Sequence, residues 1–100
     1  MQTVTISIGR GLPGGGDMDA AQWAAFIDGV RRIIAPRGVV FVDAARSVGE
    51  WQGQPEESAT FVVGEVTPDG VAGILREAAA LSRLFHQDAI AVTAGSTALV

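Results

Sequence analysis

Residues 3–8, TVTISI, alternate: Val4, Ile6 and Ile8 are apolar, and Thr3, Thr5 and Ser7 are polar. A period of two predicts a strand with one buried face. A loop with five glycines and a proline follows, GRGLPGGGD, and beyond it the period changes. Trp23, Phe26, Ile27, Val30, Ile33 and Ile34 recur at the spacing of one helix face, with Asp28, Arg31 and Arg32 opposite. Asp19 stands where an N-cap belongs, and Gln22, three residues on, completes a capping box. Met18 and Trp23 then occupy the two positions of a hydrophobic staple. Pro36 and Gly38 end the helix.

VVFV (39–42) is apolar without alternation and predicts a second strand. Residues 43–58 are mixed, with Gly53 and Pro55 as turn signals, and ATFVVGEV (59–66) predicts a third strand. The pair reads as a long hairpin with one irregular arm. Thr67-Pro68-Asp69 is a helix start, with Thr67 as cap and Pro68 at the first position. Val71, Ile74, Leu75, Ala78, Leu81 and Phe85 form its apolar stripe, which ends near Gln87. AIAVTA (89–94) predicts a fourth strand, and the residues after it a short fifth strand or a packed tail.

The order is therefore β-α-β-β-α-β over one domain, residues 1–100. Right-handed crossovers put both helices on the same face of the sheet. The expected architecture is α+β: a ferredoxin-like βαββαβ sandwich, a four-stranded antiparallel sheet with two helices on one face. VVFV and FVV place apolar groups on both faces, yet two helices cover only one. The bare face needs a cover: a second copy, another partner, or the tail with Leu99 and Val100.

Composition narrows the chemistry. Of 100 residues, 48% are hydrophobic and 18% charged, so the chain is globular rather than disordered. The net charge of −4 and the scattering of the seven arginines argue against a nucleic-acid surface and a polybasic membrane patch. No stretch reaches the roughly 20 apolar residues of a membrane span, and MQTVTISIGR has no apolar signal core. A cytoplasmic location is expected. There is no cysteine and one histidine, which leaves no thiol chemistry and no metal site. Lysine, asparagine and tyrosine are absent, while alanine, glycine, proline and arginine abound. That bias implies a GC-rich genome, as in actinobacteria or their phages.

Gly9-Arg10-Gly11-Leu12-Pro13-Gly14 fits G-x-G-x-x-G and lies between a strand and a helix, with Asp43 where a ribose-binding acid would stand. The helix begins five residues too late for its N-terminus to face a pyrophosphate. The loop reads as a flexible connection, and no cofactor is expected. His86 falls near a helix C-terminus, a structural position that suits a basic side chain beside the helix dipole. A catalytic base role with Asp88 or Glu77 is the weaker reading. Glu50, Glu56 and Glu57 around Trp51 read as a solvated hairpin rim rather than an acid–base pair. Trp51 either packs back or marks an interface. The serines, Ser7 among them, lack a nucleophile context.

Gly9, Trp23 with Phe26, Pro36 to Gly38, Gly49 to Trp51 and Glu57-Ser58 form a set of motifs over residues 5–65. On these the chain resembles small proteins of actinobacteriophages (mycobacteriophage-type). It is also distantly similar to a bacterial domain-of-unknown-function family of small α/β proteins. The resemblance implies a compact α/β domain of phage origin and carries over no catalytic residue. The expected function is that of a small non-catalytic interaction protein. It would be a phage accessory protein, a homodimer binding itself and a host or phage protein through Phe41, Trp51, Phe61, Thr5 and Ser7. The alternative is a small ligand-binding protein or enzyme, its pocket at the open sheet face of a dimer. Thr3, Thr5, Ser7, Phe41, Phe61 or Thr93 would line that pocket.

Overall fold

The computed structural model describes residues 1–51 and 54–96, with the side chains of residues 45–51, 54–56 and 96 outside that description. Strand β1 (Gln2–Gly9) leads to helix α1 (Ala20–Ile34). A long hairpin follows, β2 (Val39–Trp51) and β3 (Gln54–Val66), then helix α2 (Pro68–Leu84) and strand β4 (Ala91–Ser96). The fold is α+β, with one four-stranded sheet in the order β2-β3-β1-β4. Every neighbouring pair is antiparallel. The leader strand β1 and the hairpin arm β3 lie at the centre, with β2 and β4 at the edges.

The alternation in β1 does what its period predicts: Val4, Ile6 and Ile8 are buried, and Thr3, Thr5 and Ser7 are half-buried. The buried row of β1 meets Ala59, Phe61 and Val63 of β3 in one core with the stripe of α1. Ile74 of α2 joins the same core, so both helices pack on one sheet face. Phe26 is its centre, stacked on Phe85 with ring centroids 4.9 Å apart and edge-on to Trp23 at 6.1 Å.

Local sequence sets the helix ends. The Asp19 carboxylate accepts from Gln22 N at 2.7 Å, and Gln22 Oε1 accepts from Asp19 N at 3.0 Å. Both halves of the capping box are present. Thr67 Oγ1 caps α2 by accepting from Gly70 N at 3.0 Å. Arg37, just past α1, donates to Ile33 O at 2.7 Å and pairs with Glu77 of α2, its guanidinium lying against Gly73. That arginine ties the end of α1 to the side of α2.

Several elements differ from the sequence reading. The second strand runs to Trp51 and the third starts at Gln54, because ladder pairing continues through the mixed residues. Helix α2 stops at Leu84, three residues early, and β4 begins at Ala91 rather than Ala89. Leu75, expected in the stripe, is 50% exposed, since α2 turns its Ile74 and Ala78 inward instead. The tail, Leu99 and Val100 included, lies outside the described residues.

Candidate functional site

The helices leave one sheet face open. Parity and register assign its residues. From β1 come Thr3, Thr5 and Ser7, opposite in side to the buried row. In the ladders Thr5 pairs with Val62 and Thr93, and Ser7 pairs with Thr60 and Ala91. Residues directly opposite in a ladder share a face, so Thr60, Val62, Ala91 and Thr93 join it. Ala44 pairs with Thr60 and Val42 with Val62, which extends the face to β2.

Strand β2 carries a bulge that changes its chemistry. Val40 pairs with Val63 and Val42 with Val62, leaving Phe41 as an extra residue. A bulge of this kind turns two successive side chains to the same side. Phe41 and Val42 thus both belong to the open face. Phe41 is 58% exposed, and its ring lies over Gly64, where any Cβ would collide with it. Val39, Val40 and Val42 are exposed as well. Val39, Phe41 and Val42 therefore form an apolar ridge along one edge of the open face, with Val40 opposite buried Val63 on the helix side and Asp43 beyond them turning the same way.

Asp43 pairs in register with buried Phe61 and accepts two hydrogen bonds from Arg31 of α1, at 2.7 and 3.0 Å. These bonds, with the Asp43 and Asp28 charges, raise the Arg31 guanidinium above its ordinary value. Asp43 is thus tied up in fastening α1 to β2, not placed for a ribose. None of the open-face residues named above is charged, while exposed Glu65, at φ 58°, stands with Gly64 in the bulge of β3 opposite Thr3. The face has two halves: an apolar ridge on β2, and hydroxyls with small side chains across β1, β3 and β4.

Of the five residues expected at an interface, Phe41, Thr5 and Ser7 share this face. Phe61 does not: it is fully buried on the helix side, opposite Ile6. The correction is one of parity, since Phe61, Val62 and Val63 are all apolar and the run itself does not show which side faces in. The side chain of Trp51, like those of Glu50 and Glu56, lies outside the described residues. Gly64 and the bulge at Phe41 were missed. Their signal was present, because a glycine inside a strand pattern marks a bulge or a close approach.

Other candidate chemistry is structurally occupied. The glycine loop is not a slack connection but a small closed turn. Gly11 bridges Asp17, Leu12 N donates to Gly16 O at 2.9 Å, and Met18 N to Arg10 O at 3.0 Å. Arg10 pairs with Glu57 at 2.7 Å and donates to Met18 O at 2.8 Å. A cleft beside α1 has Arg10, Trp23, Asp28, Arg31 and Glu57 on its walls, but both its arginines already hold carboxylates. His86 is exposed and sits at φ 57°, one residue past the cap of α2. Among the described residues no group of three or more metal-ligating side chains assembles, and no helix is long and apolar enough to cross a membrane.

No family model, curated protein or solved structure matches the chain.

Proposed function

We propose that this protein works without catalysis, by docking a protein on the open face of its sheet. The observation that carries the reading is the exposed ridge of Val39, Phe41 and Val42, with Phe41 seated on Gly64 beside the hydroxyls of β1 and β3. Interface centres are depleted of charge and enriched in aromatic anchors. Phe41 meets that description: an aromatic ring lying over Gly64 of the strand across from it, with most of its surface turned to solvent.

The ferredoxin-like assignment belongs to this reading. It is supported by the alternation of elements, by the central placement of β1 and β3, and by the two helices sharing one core. The phage setting rests on the resemblance over residues 5–65 and on the composition. In that setting the protein is a cytoplasmic accessory factor acting on a host or phage protein. The ligand-pocket alternative gains less support. Among the described residues, three clefts lie beside α1, between α2 and β4, and at the glycine loop, and none of the three is on the open face.

A photoreactive phenylalanine analogue at position 41 tests the docking surface in the cells that make the protein. We expect a discrete, saturable protein adduct that Val42→Glu abolishes. The same group at exposed Leu84 serves as control. Equal, diffuse labelling from both positions would refute a docking face at Phe41.

A further inference from the structure

We infer that the occupant of the open face is a second copy of this chain. The two sheets pack face to face about a two-fold axis that runs along the strands between β1 and β3. This rests on the docking reading above and names its partner.

Area is the first argument. Four strands at about 4.8 Å spacing and eight residues at about 3.3 Å rise give a footprint of about 500 Å² before side-chain relief. The two copies together then cover about 1,000 Å², the lower bound for a specific interface.

Chemistry is the second. A face that meets itself needs groups that complement themselves. A carboxylate or a guanidinium meeting its own kind repels. A hydroxyl both donates and accepts, so Thr5, Ser7 and Thr60 tolerate a two-fold. Thr5, Ser7, Thr60 and Thr93 thus give the middle of the face uncharged groups that can meet their own kind.

Shape chooses the axis. The β2 side of the face is bulky, with Val39, Phe41 and Val42. The β4 side is small, with Ala91, Thr93 and Gly95, and a Cβ added at Gly95 would meet nothing. An axis along the strands lays β2 of one copy over β4 of the other, large against small. An axis across the strands would set Phe41 on Phe41 and leave the β4 lane empty. Edge-to-edge pairing through β2 is disfavoured, because the strand is interrupted between Val40 and Val42 and between Ala44 and Ser47. Bulges blunt an edge against strand addition.

The chain lacks cysteine, so introduced thiols report geometry cleanly. Light scattering at micromolar concentration should give twice the 10.3 kDa chain mass. Raising salt should tighten the dimer, because it screens repulsion between like-charged copies. Mixing Ala44→Cys with Ala91→Cys should yield a cross-link with a short bismaleimide, whereas Ala44→Cys alone should not. Phe41→Glu, or Thr93→Arg if that variant fails to fold, should give a folded monomer. A wild-type monomer across all concentrations would overturn the inference, while the adduct at position 41 would still report a foreign protein. A cross-link from Ala44→Cys alone, or a Phe41→Glu or Thr93→Arg variant that folds and stays dimeric, would overturn it equally.

Discussion

Gly38, just before β2, and Gly64, within β3, look alike in sequence and differ in what they hold. A Cβ on Gly38 would strike the carbonyl oxygen of Gly64, which belongs to the backbone of β3. A Cβ on Gly64 would strike the ring of Phe41, a side chain that is mostly exposed. Backbone has to shift in the first case, and a rotamer in the second. Gly38→Ala is thus expected to cost about 1–3 kcal/mol, the usual range for overpacking, read from the urea midpoint. Gly64→Ala should cost less than about 1 kcal/mol, since an exposed ring moves with little loss of packing. It should nevertheless weaken docking through Phe41, because the ring loses its seat. Equal stability losses for the two variants would contradict this account.

At the scale of the element, α2 ends in an unusual way. Its cap is Phe85, and the next residue, His86, adopts φ 57°. His86 N donates to Arg83 O at 3.2 Å and Gln87 N to Ser82 O at 2.8 Å. These are the two bonds of a Schellman motif, whose left-handed position glycine normally fills. Histidine adopts that conformation more readily than most residues, yet still at a cost of roughly 1 kcal/mol. The side chain is exposed and no packing opposes its removal. His86→Gly should therefore raise stability by about 1 kcal/mol, seen as a higher urea midpoint at unchanged slope. A destabilised variant would mean that the imidazole itself holds the turn. Helix α1 shows the opposite case at its start, where Asp19 and Gln22 are the residues a capping box requires.

For the whole molecule, the arrangement of β1, its loop and α1 decides the nucleotide question. A dinucleotide site needs a helix whose first amides point freely at a phosphate. Here the amide of Gln22 is held by Asp19's own carboxylate, a negative charge where a phosphate would have to come. The loop between is closed by its own hydrogen bonds and by Arg10 on Glu57. Calorimetric titration with NAD, FAD or ATP is expected to show no binding at micromolar concentration. Saturable heat that Gly11→Val removes would reverse the conclusion.

The sequence by itself determined what depends on neighbours along the chain. The burial parity of β1 follows from strict alternation. The start of α1 at its capping box and of α2 at Thr67-Pro68 follow from side chains within three or four residues of the amides they satisfy. The α+β character follows from the order of periods. Tertiary structure decided what depends on the strand across the way. VVFV and FVV have no alternation, so register alone chose which side of β3 faces the helices. It buried Phe61 and left Val62 on the other face. The bulge at Phe41 exists only as a mismatch between β2 and β3, and it moved Phe41 onto the same face as Val42. Leu75 lost its place in the core because the sheet met α2 along Ile74 and Ala78. The candidate site was legible as a bare apolar face, since two helices cannot cover both sides of a sheet. Its ridge and its hydroxyl centre appear only once the four strands are laid side by side.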